Sequence, residues 1–332
     1  MAGAPVGGAE LFFERLVLAM HGAGDAVLPA IRRDAGREVR LAQAGLLPLS
    51  LAFGGALDML TRPRLRAALR RFAPRVVVAW MNRAARMTPN GDWTLVGRLG
   101  GYYDLGYYRH CTHLIGNTRG IRDWIVSQGW PEARVHHLPN FVPDLLRAAP
   151  AVLPVPPGAP VVLALGRLHV NKAFDVLVRA LPHLPGVHAV IAGEGPERAA
   201  LEALARQEGV SGRLHLLGWR TDQAALLAAC DVFVCPSRHE PLGNVIIEAF
   251  SAARPIVAAD AAGPLELIQP GLGLLVPRDD PRALAHAITA MLDDPALADR
   301  MACDGRACFE RDHAMAPVLH RWRTTLAALA PG

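Results

Sequence analysis

Short apolar strands alternate with helical stretches along the whole chain, and this alternation limits the possible folds of its 332 residues more than any other feature. Segments such as VVVAW at 76–80, VVLAL at 161–165 and VFVC at 232–235 are apolar at every position. Strands that are apolar on both faces are typical of parallel sheets covered by helices on both sides. The alternation therefore predicts an α/β fold with doubly wound, Rossmann-like parallel sheets.

The predicted strands fall into two groups, one in each half of the chain. The first group comprises Glu38–Leu41, Val76–Trp80, Leu95–Leu99, His113–Asn117 and Val135–Leu138. The second group comprises Val161–Leu165, Val187–Ala192, Leu214–Leu217, Val232–Cys235, Ile256–Ala259 and Gly273–Val276. The apolar stretch 41–60 is interrupted by Pro48 and Asp58 and is too short to span a membrane. We predict a buried or interfacial pair of helices there.

A proline-rich segment separates the two groups. Residues 143–160 contain six prolines and few charges, as is typical of a stiff linker. We therefore predict a first domain at 1–145, a linker at 146–160, a second domain at 161–310 and a C-terminal helix at 311–332. That helix could pack back on the first domain.

The first domain lacks room for its first strand. In a doubly wound domain a glycine loop follows the first strand, which is central in the sheet. Here only six residues precede Gly7 and Gly8, and Pro5 among them cannot donate to a strand ladder. We expect the first sheet to lack its central strand or to keep only a stub at Met1–Gly3, as though translation began further upstream. The alternative is a rearranged domain in which another strand closes the gap.

The charge is distributed unevenly. The first 150 residues carry a balance of +8, and the remainder carries −3. Such a basic first half favours an anionic partner. The charge is concentrated in Arg62, Arg64, Arg66, Arg70, Arg71 and Arg75. These arginines form either a solvated helix face or a contact with an anionic membrane or lipid-linked acceptor. No aromatic platform accompanies them, so we expect no nucleic-acid binding.

The cysteine count indicates a reducing compartment. Five cysteines are an odd number, and two pairs of them share a C-x4-C spacing, which is wider than the C-x-x-C of redox motifs. The first ten residues lack the basic region of a secretory signal. We expect reduced thiols in a cytoplasmic protein, with peripheral contact at the inner membrane face as a possibility.

One lysine stands out. Of the 35 basic residues, 34 are arginine, and Lys172 is the exception. It follows Gly166 and Arg167 at the mouth of the predicted strand Val161–Leu165. Glycine allows a close approach of backbone to ligand. A forked guanidinium and a point-like ammonium suit a diphosphate. We predict that Arg167 and Lys172 contact phosphate; the alternative is that both are ordinary loop residues.

Two glutamates follow the strand Val232–Cys235. Glu240 lies in the loop after the strand, and a helix is predicted to start near Leu242 or Gly243. Asn244 and Glu248 then share one face of that helix, whose start favours an anion. Glu248 could accept the hydroxyls of a ribose, and Glu240 could meet a sugar. An E-x7-E spacing by itself is also compatible with surface charges.

A glycine motif after another strand is a weaker signal. Residues 193–198 read G-x-G-x-x-R, which lacks the third glycine of the dinucleotide fingerprint. The preceding strand is also the second of its domain. We interpret this segment as a structural turn.

Taken in order, the motifs of the second half resemble the donor domain of glycosyltransferase family 4, the group-1 glycosyltransferases. The matching segments are GRL-x3-K at 166–172, IAGEGPE at 191–197, LGW at 217–219, E-x7-E at 240–248, PIVAAD-x2-G-x2-E at 255–266 and GLGLLVPRDDPRALAHAI at 271–288. The resemblance implies a GT-B fold, in which two Rossmann-like domains face each other across a cleft. It also implies transfer of a sugar from a nucleotide sugar with retention of anomeric configuration.

The resemblance assigns roles to residues of the donor domain. It implies that Arg167 and Lys172 hold the diphosphate, that Glu248 holds the ribose and that Glu240 contacts the donor sugar. Catalytic roles thus fall to Glu240, Arg167 and Lys172. Donor-binding roles extend to Gly166, to Trp219 beside the base, and to the backbone of Leu242, Gly243 and Asn244. The donor would be UDP- or GDP-linked, and no other cofactor is expected.

The first half resembles the family's acceptor domain less closely. Gly7-Gly8-Ala9-Glu10 is similar to the glycine loop that faces the donor phosphate and acceptor. Family members often carry a histidine after the strand matching Val76–Trp80, where this chain has Asn82. The resemblance implies a glycan or lipid-linked acceptor, with a role in surface polysaccharide or lipopolysaccharide synthesis.

Positive side chains could stabilise the leaving diphosphate without a metal. No D-x-D motif is present, so we predict a metal-independent, hexosyltransferase-like enzyme. Two alternatives remain open. One is a sugar-nucleotide epimerase on the same fold, and the other is a catalytically silent partner subunit.

Overall fold

The computed structural model describes residues 1–3, 7–54 and 58–331. The chain divides into two compact units. The first comprises Met1–Phe141 together with Met315–Gly332, and the second comprises Val142–Ala314. No helix within the described residues is both long and apolar enough to cross a membrane. All five cysteines are described, and none forms a disulfide.

In the first unit, helices and strands alternate from the start of the chain. The helices are α1 (Gly8–Gly22), α2 (Ala35–Gln43), α3 (Thr61–Phe72), α4 (Met81–Met87) and α5 (Arg119–Ser127). The strands are β1 (Ala30–Arg32), β2 (Leu49–Leu51), β3 (Val76–Trp80), β4 (Thr94–Leu99), β5 (His113–Gly116) and β6 (Val135–His137). β1 and β2 form a parallel pair, and β3-β4-β5-β6 form a separate parallel sheet.

The second unit follows with six strands and seven α-helices among the described residues. The strands are β7 (Val161–Leu165), β8 (His188–Ala192), β9 (Leu214–Leu216), β10 (Val232–Cys235), β11 (Ile256–Ala259) and β12 (Leu274–Val276). The helices are α6 (Phe174–Ala180), α7 (Arg198–Gln207), α8 (Gln223–Ala228), α9 (Asn244–Ser251), α10 (Ala262–Leu267), α11 (Pro281–Asp293) and α12 (Pro295–Cys308). The last helix of the chain, α13 (Met315–Leu329), belongs to the first unit.

The sheet of the second unit is continuous and parallel, in the order β12-β11-β10-β7-β8-β9. β7 is central and buried at every position, as its apolar sequence predicts. Val162 and Ala164 pack into one apolar cluster with α6, α7 and α11. Leu163 and Leu165 pack into a second cluster with α8 and α9. The chain winds from β7 toward one edge and from β10 toward the other, so the topological switch lies between β7 and β10.

Two apolar clusters also cover the sheet of the first unit. Leu95 and Leu114 lie in a cluster with residues of α3, α4 and α5. Trp80 and Val96 lie in the other cluster, which includes residues of α1 and α13. Trp322 of α13 is fully buried and stacks on Trp80 with ring centroids 6.1 Å apart. The C-terminal helix is therefore part of the core of the first unit.

The structure corrects the prediction for residues 38–60. Glu38–Leu41 is not a strand but part of α2, because Asp34 caps this helix by accepting a hydrogen bond of 2.8 Å from the Arg37 amide. The predicted helix pair at 41–60 is also wrong, since β2 lies within this range. β1 and β2 are three residues each, too short for their pattern to identify them.

The domain boundaries differ from the predicted ones. The N-terminal part of the first unit ends at Phe141, and the chain returns to this unit at Met315. The segment 146–160, predicted to be a linker, lies within the second unit, where Ala151, Leu153 and Val155 pack against its core. The amide of Ala151 donates to the Ala225 carbonyl at 2.9 Å. This proline-rich segment therefore packs against the second unit and is not a spacer between units.

Candidate active site

Two loops meet at the switch point of the second sheet. β7 and β10 are adjacent and parallel, with Val162 opposite Val232. Their carboxyl ends therefore lie at the same edge, where ligands of doubly wound sheets bind. The loop after β7 carries Gly166 to Lys172, and the loop after β10 carries Pro236 to Gly243. The amide of His239 donates to the Asn171 carbonyl at 3.2 Å and joins the two loops.

An ion pair between these loops forms the centre of the candidate site. The Nζ atom of Lys172 donates to Oε2 of Glu240. The two side chains are only 24% and 12% exposed. Burial by itself would lower the pKa of Lys172, but the carboxylates of Glu240 and, more weakly, Glu248 raise it above its ordinary value. Lys172 is therefore a fixed cation, and Glu248 lies within electrostatic range of it.

The start of α9 supplies a second anion-favouring feature. Gly243 precedes the helix with φ of +91°, a conformation that glycine adopts without strain. The first turn of a helix presents backbone N–H groups that have no intrahelical partner. Asn244 is the first helical residue, and Glu248 lies one turn further along. The structure thus brings the Lys172–Glu240 pair, the helix start and Glu248 to one edge of the second unit.

The loop that carries Glu240 is held by a close backbone contact. The amide of Gly263 donates to the Glu240 carbonyl at 2.7 Å. A Cβ atom at Gly263 would lie 2.2 Å from the Leu242 carbonyl oxygen, so only glycine fits. Ser237 is buried, and its hydroxyl oxygen lies 3.5 Å from Oε2 of Glu240. These contacts fix the Glu240 carboxylate before any ligand arrives.

Arg167 and Trp219 are exposed at the same end of the second unit. Arg167 follows Gly166 directly, and the Trp219 side chain is 59% exposed after Gly218. Neither side chain has a hydrogen-bond or ion-pair partner among the residues that the structure describes. An exposed aromatic ring and an exposed guanidinium are thus available to a ligand.

The G-x-G segment at 193–195 braces these loops. A Cβ atom at Gly193 would lie 1.8 Å from the Gly166 carbonyl oxygen, and one at Gly195 would lie 2.2 Å from that of Leu168. The Gly193 amide also donates to the Gly218 carbonyl at 2.8 Å. The prediction of a structural turn is confirmed. What the sequence did not reveal is that this turn positions both the Gly166 loop and the Trp219 loop.

Arg238 is a residue that the sequence analysis missed. Its guanidinium donates to both carboxylate oxygens of Asp175 at 2.8 and 2.6 Å and to the Val170 carbonyl at 3.0 Å. The hydrogen bonds to Asp175 are the main reason why the pKa of Arg238 lies above its ordinary value. Arg238 thereby ties the loop after β10 to the segment after β7. Asp175 is 63 residues away, so no local pattern reveals the pair.

The remaining predicted residues belong to the first unit. Gly7 precedes α1 in an extended conformation and Gly8 begins the helix. A Cβ atom at Gly7 would lie 2.4 Å from Oε2 of Glu10, which is buried. Asn82 accepts a hydrogen bond of 2.8 Å from the Tyr108 hydroxyl. Asn82 thus has a structural partner at the position where family members often carry a histidine.

A buried cation also lies at the carboxyl end of the first unit's sheet. Arg98 of β4 is fully buried and stacks over Trp80, with 4.6 Å between guanidinium carbon and ring centroid. Its Nη2 atom donates to Asn140 Oδ1 at 2.7 Å. Its Nε and Nη1 atoms have no partner within the described residues. Burial lowers the pKa of Arg98 to about 10. No sequence pattern singles out Arg98.

Comparison with known proteins now decides the family. Residues 159–294 match the family described as glycosyl transferases group 1. The chain is 36% identical over 302 residues to the lipopolysaccharide core biosynthesis glycosyltransferase LpsE of Rhizobium meliloti, a match covering 89% of this chain and 88% of that protein. LpsD of the same organism is 34% identical, covering 90% and 89%. The chain is a group 1 glycosyltransferase.

Solved structures of this glycosyltransferase's neighbours have the same fold. Anabaena HepE in complex with UDP aligns with a TM-score of 0.84 and 21% identity, covering 99% of this chain and 98% of HepE. The lipopolysaccharide outer core galactosyltransferase WaaB, in its apo form, aligns with a TM-score of 0.76 and 16% identity, covering 98% and 97%. The predicted GT-B fold with two parallel α/β domains is confirmed.

Proposed function

We propose that this group 1 glycosyltransferase transfers a hexose from a nucleotide sugar to a glycan or lipid-linked acceptor, with retention, as a member of family 4. The observation that carries the proposal is the half-buried Lys172–Glu240 pair beside the start of α9, at the switch point of the second sheet. Fixed positive groups at such an edge suit a diphosphate. The similarity to LpsE and LpsD supports a place in lipopolysaccharide core synthesis, as part of surface polysaccharide assembly.

Different residues of the second unit bind different parts of the donor. Arg167, Lys172 and the backbone amides from Leu242 to Asn244 hold the diphosphate. Glu248 accepts hydrogen bonds from the ribose hydroxyls, and Trp219 borders the base. Glu240, held by Gly263 and Lys172, meets the donor sugar. Gly166 lets the backbone approach the phosphates closely.

In the reaction, the bond between the anomeric carbon and the diphosphate oxygen breaks. A bond from an acceptor hydroxyl oxygen to that carbon forms on the same face of the sugar, and the hydroxyl proton is released. The charge that develops on the departing diphosphate is stabilised by Arg167, Lys172 and the helix start, because preorganised charges need no reorganisation during reaction. We propose that this set works without a metal. HepE, solved with UDP and with UDP-glucose, makes a UDP-sugar the first donor to test and a GDP-sugar the second.

The first unit carries the acceptor side, which includes the Gly7–Gly8 loop. We also propose that it contacts the inner face of an anionic membrane. The arginines of α3 are exposed and have no ion-pair partner in the described part of the chain, and Leu65 and Leu69 on the opposite side are buried. Next to the helix, Met59 and Leu60 are 83% and 62% exposed. Basic and apolar surface together suits a lipid headgroup layer.

Release of nucleoside diphosphate in the presence of a donor panel and a lipopolysaccharide core acceptor tests the proposal. We expect acceptor-dependent release with one donor, and its loss in Lys172→Ala but not in Arg206→Ala, which removes an exposed arginine of α7. Conversion of the donor to its epimer without acceptor would favour an epimerase. No turnover with any donor would favour a silent partner subunit.

Membrane contact is tested by flotation with anionic vesicles. The fraction of protein that floats with the vesicles should fall as the salt concentration rises.

A further inference from the structure

Lys172 lies in a strained turn between β7 and α6. It ends a single 3₁₀ turn, Val170–Lys172, and the next residue, Ala173, has φ of +51°. Residues other than glycine adopt this left-handed region at a cost, and they keep it only where their surroundings hold them. Ala173 is fully buried in the apolar cluster that also contains Phe174. The position of the Lys172 ammonium therefore depends on what holds this turn.

Arg238 holds the turn at both ends. Its Nη1 atom donates to the Val170 carbonyl at 3.0 Å, at the start of the turn. Nη1 and Nη2 together donate to the two carboxylate oxygens of Asp175, in the first turn of α6, at 2.8 and 2.6 Å. Two parallel bonds to one carboxylate fix the plane of a guanidinium, which a lysine ammonium cannot reproduce. Lys172 thus lies between two groups that a single side chain holds.

The same guanidinium reaches a third loop at the carboxyl edge of the sheet. The Nε atom of Arg238 donates to Oδ1 of Asp279, in the loop between β12 and α11. The Asp279 backbone is also in the left-handed region, with φ of +60°. The next residue, Asp280, caps α11 by accepting a hydrogen bond of 2.9 Å from the Ala283 amide. The loops after β7, β10 and β12 are therefore joined at one side chain.

The charge of Arg238 is already balanced within this unit. Its guanidinium binds the carboxylates of Asp175 and Asp279, so the three side chains together carry more negative than positive charge. Such a group does not attract a diphosphate. Arg238 therefore differs from Arg167, whose guanidinium has no hydrogen-bond or ion-pair partner in the part of the chain that the structure describes.

We propose that Arg238 is a positioning residue for the transfer reaction, which places Lys172 and Glu240 against the donor without touching the donor itself. The inference rests on the proposed function of that pair. Glu240 follows Arg238 by two residues, and the His239 amide between them donates to the Asn171 carbonyl at 3.2 Å. A shift of Arg238 therefore moves both members of the ion pair. Misplacement of a reacting group by about 1 Å costs roughly 100-fold in rate, so the effect belongs in kcat.

The kinetic test compares Arg238→Ala with Arg179→Ala. Arg179, in the last turn of α6, is also partly exposed and donates to the Glu208 carboxylate at 2.9 Å. We expect kcat to fall at least about tenfold in Arg238→Ala, with a smaller change in donor KM, and to stay unchanged in Arg179→Ala. Tm should change by less than about 3 °C in both variants, because ion pairs between partly exposed side chains add little stability.

Arg238→Lys keeps the charge and separates geometry from electrostatics. We expect this variant to remain impaired in kcat, because an ammonium cannot hold Val170 and Asp175 together. Wild-type kcat in Arg238→Ala would overturn the proposal. Wild-type kcat in Arg238→Lys would also overturn it, since a positive charge alone would then be sufficient.

A second measurement needs no turnover, so its result is independent of the proposed function. Amide hydrogen exchange is followed without donor in the wild-type chain, Arg238→Lys and Arg179→Ala. The hydrogen-bonded amides of Lys172, Ala173 and His239 report on the two loops. We expect them to exchange at least tenfold faster in Arg238→Lys only, with β8 unchanged in all three chains.

Equal exchange of these amides in the three chains would contradict the positioning role, even if the enzyme is active. A wild-type chain that turns over no donor would instead contradict the proposed function, and the exchange result would still decide whether Arg238 holds the two loops.

Discussion

The second unit has one continuous six-stranded parallel sheet, whereas the described strands of the first unit form a four-stranded parallel sheet and a separate parallel pair. β7 is buried at every position and places Gly166, and hence the Lys172–Glu240 pair, at the sheet edge. In the first unit an apolar cavity of about 670 Å³ lies between the pair β1-β2 and the sheet that begins with β3. The difference teaches that the candidate site lies in the unit with a buried central strand, where the loops after β7 and β10 start from one rigid sheet. Variants of the second unit can show whether its loops are preorganised as this comparison requires.

The largest effect is expected for Lys172→Ala. Loss of one preorganised charge contact costs on the order of 2–4 kcal/mol in the transition state, or about 30- to 1000-fold in turnover. The steady-state rate of nucleoside diphosphate release measures it. Arg206→Ala, an exposed arginine of the same unit, serves as the control. Wild-type turnover in Lys172→Ala would contradict the proposal that Lys172 binds the diphosphate.

A smaller effect is expected for Gly193→Ala. The added Cβ would lie 1.8 Å from the Gly166 carbonyl oxygen, so the loop after β7 must shift. Overpacking of this kind costs about 1–3 kcal/mol in the free energy of unfolding, and donor KM should rise with it. Gly212→Ala is the matched control, because nothing lies within 4 Å of a Cβ there. If chemical denaturation and donor KM do not distinguish the two variants, the turn does not brace the site.

As the pH is lowered, the first unit should be destabilised at a higher pH than the second. Burial lowers the pKa values of His113 and His136, and it lowers that of His137 to about 4. In the second unit burial lowers the pKa of His215. A histidine with a lowered folded-state pKa costs no stability above its unfolded pKa of about 6.5, and it destabilises the fold increasingly as pH falls below that value. His137 alone would cost about 2 kcal/mol at pH 5.

Tryptophan fluorescence can follow this acid transition because five of the six tryptophans lie in the first unit and Trp219 lies in the second. We expect the denaturation midpoint measured by fluorescence to fall to a lower denaturant concentration when the pH is lowered from 7 to 5. His137→Gln should reduce that movement, and His286→Gln, exposed on α11, should not. A pH-independent midpoint would show that these histidines are protonated without cost.

Much of the second unit could be predicted from local sequence. Apolar runs such as 161–165 and 232–235 identify buried parallel strands, and Lys172, Glu240 and Glu248 stand at fixed offsets from them. The misses have physical causes. β1 and β2 are three residues long, and Glu38–Leu41 was drawn into a helix by the Asp34 cap. The Arg238–Asp175 and Arg98–Asn140 contacts join residues 63 and 42 positions apart, beyond the reach of any local pattern.

The central claim is that the edge of the second sheet binds the nucleoside diphosphate part of the donor. Calorimetric titration of UDP and of GDP, with EDTA present throughout, tests it most directly. We predict one site per chain for one of the two nucleotides, at least tenfold weaker binding in Lys172→Ala and in Glu248→Ala, and unchanged binding in Arg206→Ala. Absence of binding to both nucleotides, or binding that neither substitution weakens, would contradict the account.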